Sequence, residues 1–125
     1  MQYLLLLTYA PVSLADAEAP RPEEWSAYTL ALQEAGIMVS GAGLQGVDVA
    51  TTVRVRAGER LLTDGPFADT KEHLVGFYVI DVPDLDTALE WAAQVPNVRI
   101  GSVEVRPVLP TAEATRVDAT ATAAG

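Results

Sequence analysis

The amino-acid sequence predicts an α+β fold, and three observations support this prediction. Apolar runs of strand length occur at residues 2–9, 37–44, 74–82 and 98–107. Two segments between these runs repeat apolar residues at helical spacing, and a short hairpin follows the second run. The resulting order, β-α-β, hairpin, β-α-β, is that of the ferredoxin-like split β-α-β fold.

The first strand and the first helix have clear sequence signals. The run QYLLLLTY carries leucine at positions 4–7 and is therefore apolar on both faces. A strand covered on one side alternates apolar and polar residues, so we expect cover on both sides here. The helix is predicted to begin near Pro22, whose missing N–H costs nothing in a first turn. Its apolar side carries Trp25 and Tyr28, and Gly36 is placed to end it in a left-handed conformation.

The middle of the chain combines glycines with a hairpin. Gly41 and Gly43 in the second strand indicate a bulge or the close approach of another backbone. The segment TTVRVR then turns at Gly58-Glu59 into RLLT. Val53 and Val55 alternate there with polar residues, which predicts a strand with one wet face.

The run over residues 74–82 is apolar on both sides, which predicts a central place in the sheet. Its alternation predicts two faces, formed by Val75, Phe77 and Val79 and by Leu74, Tyr78 and Ile80. The second helix is predicted to follow Asp84 as its N-cap. Its predicted apolar stripe consists of Leu85, Ala88, Leu89 and Ala92.

Two helices cover one face of such a sheet, while the central strands are apolar on both faces. Leaving large side chains exposed there would forgo roughly 1.5–3 kcal/mol apiece. We therefore predict that the second face packs on another copy of the chain, giving a two-fold homodimer of the dimeric α+β barrel type.

Composition excludes several classes of function. The net charge of −9, with only eight scattered Lys and Arg, argues against binding to nucleic acid or to anionic membranes. The absence of cysteine excludes a disulfide frame and a thiol nucleophile, and it fits a cytoplasmic protein. The opening leucines lack the basic flank of a signal peptide. We expect a domain over residues 1–110 and a poorly ordered Ala/Thr-rich tail over 111–125.

Several segments together resemble the YCII-related family, and within it the DGPF subgroup. They are Gly41-x-Gly43-Leu44, TTVRVR, TDGPFADTKE at 63–72, Gly76-Phe77-Tyr78-x-Ile80, DVPDLDTALEWAA at 81–93 and VEVRPV at 103–108. The resemblance covers residues 1–110 and implies a ferredoxin-like dimer. It also implies small bacterial proteins, some of them encoded beside extracytoplasmic-function sigma factors.

The same resemblance bears on activity. A few relatives in the wider family are enzymes acting on small aromatic or other organic substrates, with a His–Asp pair proposed as their centre. The family histidine lies near the start of the first helix, where this sequence has Glu23 and Glu24. The resemblance therefore carries no enzymatic activity over to this chain.

The DGPF block offers the first candidate site. Asp64 can accept hydrogen bonds in a turn, Gly65 permits that turn, Pro66 fixes the backbone and Phe67 anchors the loop. Alternatively, Asp64 lines a cleft at the dimer interface as a ligand acceptor or general base. In that interpretation Gly65, Pro66 and Phe67 contact the ligand.

Four further residues are candidates, each with a structural alternative. His73, the only histidine, is either a catalytic group or a solvated residue at a strand end. Glu24 either replaces the family histidine or interacts with the positive end of the helix dipole. Trp25 and Tyr28 form either a ligand-binding wall or part of the core. No metal site and no cofactor are predicted.

Three functions remain open from the sequence and from the family resemblance. One is a homodimer that binds a small organic ligand near its interface, as an accessory protein linked to sigma-factor regulation. The other is an acid/base enzyme acting on a small organic substrate, with Asp64 as the base and Glu24 or His73 assisting. A protein-interaction module using the sheet edge or the tail is a third alternative.

Overall fold

The computed structural model describes residues 1–9, 19–65 and 72–110. Pro66, Phe67 and the tail over 111–125 lie outside the described residues. The elements are β1 (Gln2–Tyr9), α1 (Pro22–Glu34), β2 (Met38–Gly43), β3 (Thr51–Arg56), β4 (Glu59–Asp64), β5 (His73–Asp81), α2 (Leu85–Ala92) and β6 (Gly101–Pro107). Their order confirms the predicted α+β fold.

Four of these strands form one antiparallel sheet in the order β2-β5-β1-β6. The two strands that are apolar on both faces, β1 and β5, are the central pair, as their sequences predict. Strands β3 and β4 form a separate two-stranded sheet. The sheet order is that of the split β-α-β plan, with the hairpin inserted between the second and third strands of the main sheet.

The buried core lies between the main sheet and the two helices. Leu5 of β1, Ile80 of β5, Leu32 of α1 and Ala88 of α2 are completely buried there. The amide Nδ2 of Asn97, which is also fully buried, donates to the carbonyls of Thr8 at 3.0 Å and Ser102 at 3.1 Å. These bonds fasten the end of β1 to the start of β6.

The opposite face of the sheet carries Leu4 and Leu6 of β1 and Phe77 and Val79 of β5. Cross-strand pairing places Leu4 beside Val79 and Leu6 beside Phe77. All four side chains are only partly buried. We call this surface the open face, because both helices pack on the other side.

A β-bulge changes the predicted faces of β5. The strand pairing passes from Leu7↔Gly76 to Thr8↔Leu74, so Val75 is skipped. Val75 therefore packs against the core, and Leu74 is exposed. The prediction that Leu74 shares a face with Tyr78 was wrong, because a bulge inserts one residue and reverses the alternation beyond it.

The second helix begins as predicted but buries different residues. The Asp84 side chain accepts a hydrogen bond of 2.8 Å from the Thr87 N–H, which makes it the N-cap. Its apolar stripe is divided, because alanines at 88 and 92 face the core while Leu85 and Leu89 are nearly half exposed. The small alanines let the helix lie close to the sheet. No helix among the described residues is long and apolar enough to cross a bilayer.

The hairpin of β3 and β4 is exposed on both faces. Every residue from 53 to 64 is exposed in the single chain. The prediction of one wet face was therefore wrong for the isolated chain, since Val53 and Val55 have no cover of their own. We call this hairpin, residues 51–64, the arm.

Candidate ligand pocket

A pocket of about 970 Å³ lies between α1 and the ends of β2 and β5 that adjoin the arm. Trp25, Thr29 and Gln33 line it from α1. The loop after β2, residues 44–48, lines it at the side that leads into the arm. A cavity of this volume falls within the size range of small-molecule sites.

Glycines occupy paired positions on the two neighbouring strands that line the pocket. Gly43 of β2 lies opposite Gly76 of β5, and Gly41 lies opposite Tyr78. A Cβ on Gly76 would approach the Ala42 carbonyl oxygen to 2.9 Å, and a Cβ on Gly41 would approach the Tyr78 ring to 2.7 Å. Both glycines are therefore needed for the strands to pack.

Gly43 differs from its two neighbours. A Cβ added there would meet no atom within 4 Å, although Gly43 lines the pocket. It lies on the same face of β2 as Gly41, two residues away, which is the face covered by α1. A side chain at position 43 would therefore enter the pocket without a clash in the sheet.

Polar groups converge on this mostly apolar space. The hydroxyl oxygens of Thr29 and Tyr78 lie 2.8 Å apart and share a hydrogen bond. The described lining contains one carboxylate, that of Asp48, and one imidazole, that of His73. It contains no Lys or Arg. The pocket thus offers hydroxyl partners and a negative charge to a ligand, and no fixed cation.

Two of the predicted site residues, Trp25 and His73, line this pocket. The position of His73 follows from the bulge in β5. The sequence alternation alone places His73 on the face of Phe77. With the bulge at Val75, His73 shares the α1 side of the sheet instead.

Glu24 is held by an ion pair at the N-terminus of α1 and is not part of the described pocket lining. Its carboxylate lies 2.9 Å from the Arg99 guanidinium and accepts a 2.8 Å hydrogen bond from the Arg21 N–H. The Arg99 bond, followed by the Arg21 bond, lowers the pKa of Glu24 to about 2. Glu24 is therefore ionised at neutral pH and has no proton to donate.

Tyr28 belongs to the buried core. Its hydroxyl donates to the Trp91 carbonyl at 2.9 Å, and its ring contacts Tyr78 edge-on at a centroid distance of 5.3 Å. Burial raises the pKa of Tyr28. The Tyr28 ring packs against Tyr78, which lines the pocket, but Tyr28 is not among the described lining residues.

Asp64 ends β4 at the root of the arm, paired with Thr51, and is exposed. The next residue, Gly65, has φ of +102°, a conformation that side chains rarely adopt. Its N–H donates to the Ala50 carbonyl at 2.7 Å, and its carbonyl accepts from the Thr52 hydroxyl at 2.7 Å. Asp64 thus directly precedes a residue that two hydrogen bonds hold in place, and it lies outside the described pocket lining.

A second polar cluster joins β1 to β6 at the end of the sheet where β5 begins. The Glu72 carboxylate accepts hydrogen bonds of 2.8 Å from the hydroxyls of Thr8 and Ser102. These two bonds, that of Thr8 first, lower the pKa of Glu72. Within the described ranges, no group of three or more His, Cys, Asp or Glu side chains could hold a metal ion.

The pocket residues that sequence reasoning did not identify include Thr29, Tyr78, Asp48, Gly43 and Gly76. The glycines at 41 and 43 gave a signal, because they indicated close backbone approach. Gly76 becomes informative only with the strand register, which pairs it with Gly43. Thr29 and Tyr78 have ordinary residue types for a helix and a strand.

Comparison with known proteins gives the family and the fold. Residues 1–112 match the profile of the YCII-related domain. An uncharacterized protein of Rhizobium meliloti (strain 1021) is 48% identical over 77 residues, which is 60% of this chain and 62% of that relative. The DGPF subgroup stays a prediction from the sequence.

A solved structure has the same fold at low sequence identity. It is the 5-chloro-2-hydroxyhydroquinone dehydrochlorinase of Burkholderia phenoliruptrix AC1100, in complex with 2,5-dihydroxybenzoquinone. The TM-score is 0.54 at 14% identity, covering 90% of this chain and 98% of the enzyme. This likeness supports the α+β architecture.

Proposed function

The chain belongs to the YCII-related domain family, and we propose that it binds a small organic ligand in the α1 pocket. The observation that carries this proposal is the cavity of about 970 Å³, which glycines of β2 and β5 line beside the hydroxyl pair of Thr29 and Tyr78. An apolar space with a few convergent polar groups is the usual form of a small-molecule site.

The lining favours an uncharged aromatic ligand that carries hydroxyl groups. Trp25 and Tyr78 offer aromatic surface, and Thr29 offers a hydroxyl partner. Asp48 and the net charge of −9 disfavour an anion, because the described lining holds no Lys or Arg to neutralise it. The structural neighbour is bound to 2,5-dihydroxybenzoquinone, which supports a hydroxylated six-membered ring compound as the ligand.

The functional unit in this proposal is a cytoplasmic homodimer with the pocket near its interface. The open face gives the physical reason, since its four large apolar side chains lie on the side of the sheet without helices. The loop that lines the pocket leads directly into the exposed arm. An accessory role beside an extracytoplasmic-function sigma factor stays a prediction from the family resemblance.

A binding experiment with matched ligands tests the pocket. The probes are neutral phenols such as 2-naphthol and the corresponding carboxylates such as 2-naphthoate, at pH 7. We expect the phenols to raise the melting temperature, with larger shifts for tighter binding, and the carboxylates to have little effect. If no phenol in the set raises the melting temperature, the proposed ligand class is wrong.

Two variants locate the binding. Gly43→Leu places a side chain into the pocket, so it is expected to abolish the thermal shift. Ala27→Leu adds the same side chain at an exposed position of α1 outside the pocket and is the control. Equal phenol binding by both variants would show that the ligand occupies another site.

The second candidate function is an acid/base enzyme acting on a small organic substrate. Its support is His73 in the pocket lining, together with the sequence prediction that Asp64 is the base. For a phenol that the protein binds and converts, Asp64→Asn is expected to abolish conversion without loss of the dimer. Retained conversion would remove Asp64 from the mechanism, and His73→Gln would then test the remaining group.

A further inference from the structure

The arm presents an apolar face that the rest of the described chain does not cover. Strand pairing places Val53 beside Leu62 and Val55 beside Arg60 on one face of the hairpin. Val53, Val55 and Leu62 are 57%, 59% and 60% exposed. An isolated two-stranded hairpin is marginally stable in water, and it gains stability when an apolar face packs on another surface.

The charge of the arm points to the partner. Residues 51–64 carry three arginines and two acids, a net charge of +1. The other 111 residues carry five Lys or Arg and fifteen acids, a net charge of −10. The arm is therefore a weakly cationic segment on an acidic chain. Arg60 lies on the apolar face beside Val55, while Arg54 and Arg56 lie on the outer face, so Arg60 is the arginine placed to meet acidic groups of another copy.

The open face supplies the matching apolar surface. Leu4, Leu6, Phe77 and Val79 form a continuous cross-strand group on it. Arg106 and Glu104 on the neighbouring strand form an ion pair at its edge. An apolar centre with a charged rim is the usual composition of a protein–protein interface.

We propose that the arm of one copy lies on the open face of a second copy, with Val53, Val55 and Leu62 turned inward. This inference rests on the homodimer of the proposed function and adds the element that holds it together. In a two-fold dimer each contact occurs twice, so one arrangement covers both arms and both open faces.

Two adjacent leucines give a matched test. Leu61 and Leu62 are both exposed, but their side chains lie on opposite faces of the hairpin. Leu62→Asp puts two charges into the symmetric interface, and Leu61→Asp puts the same charges on the outer face. Sedimentation equilibrium of the full chain measures the dimer dissociation constant, and circular dichroism checks that each variant is folded.

The proposal predicts a rise of at least 100-fold in the dissociation constant for Leu62→Asp and a change within about threefold for Leu61→Asp. An intact dimer in both variants overturns the arm contact while leaving a dimer formed by the sheets. Equal dissociation of both variants overturns the assignment of the inner face. A monomeric native chain at 100 µM overturns the contact and the homodimer together, while phenol binding still tests the pocket separately.

Discussion

Strands of similar composition have opposite surroundings in the two sheets of this protein. Leu5 in β1 is completely buried between the main sheet and the helices, while Leu62 in β4 is 60% exposed. Both lie in apolar, strand-forming segments, and both are paired in register with a neighbouring strand. The difference is that α1 and α2 cover the main sheet, and neither covers the arm.

This contrast shows what a sequence pattern reports. Alternating or continuous apolar residues indicate that a strand will be buried, but they do not say which molecule buries it. One face of the main sheet is covered by the two helices of the same chain. We infer that the arm and the open face find theirs in a second copy.

The largest expected effect on the free energy of unfolding distinguishes the buried core from the arm. Leu5→Ala is expected to lower the free energy of unfolding by about 2–5 kcal/mol, because it leaves a cavity in the closed core. Leu62→Ala is expected to change it by less than about 0.5 kcal/mol in dilute, monomeric protein, as for other exposed positions. Urea denaturation at low protein concentration measures both.

The same two variants can also be compared at high protein concentration. There the Leu62→Ala variant is expected to be less stable than the native chain, since dimer formation stabilises the folded state by mass action. A cost for Leu62→Ala that does not depend on protein concentration would show that the arm is packed on its own chain.

An intermediate effect is expected at the paired glycines, where the core strands approach the root of the arm. Gly76→Ala is expected to cost about 1–3 kcal/mol, because its Cβ meets the Ala42 carbonyl oxygen. Gly43→Ala is expected to change stability by less than about 1 kcal/mol, since open space surrounds its Cβ. Thermal unfolding of the two variants measures the difference, and equal costs would contradict the register on which the pocket depends.

The smallest effect concerns Glu24, the ion-paired carboxylate at the start of α1. Its pKa is lowered from 4.5 to about 2, so the folded state binds fewer protons than the unfolded state in this interval. Its contribution to stability is therefore present above about pH 4.5 and is lost as the pH falls towards 2. Glu24→Gln should flatten the pH dependence of stability in that window.

Glu23→Gln is the control for this prediction, because it removes the same charge from the same helical turn. The pH dependence of urea denaturation between pH 2 and 6 compares the two variants. An identical response would show that the Arg99 ion pair does not stabilise the fold.

Much of the fold could be predicted because its signals are local. Pro22 begins α1, Asp84 caps α2, and the leucines of β1 indicate a central strand. The faces of β5 could not be predicted, since the bulge at Val75 depends on pairing with β1. That one inserted residue turns His73 to the pocket side.

The pocket was harder to predict than the fold, because it arises from residues distant in the sequence. Gly43 and Gly76 matter as a pair, and only the strand register brings them together. Asp64 and Glu24 attracted attention by residue type, although the structure places them at the root of the arm and in an ion pair. Trp25 and His73 do line the pocket.

Amide hydrogen exchange, measured at two protein concentrations, tests most directly whether a second copy covers the arm. We predict that the paired amides of residues 51–64 are protected at high concentration and exchange rapidly on dilution, while those of β1 and β5 stay protected throughout. Equal protection of the arm at both concentrations, in samples shown to be dimeric and monomeric, would contradict this account.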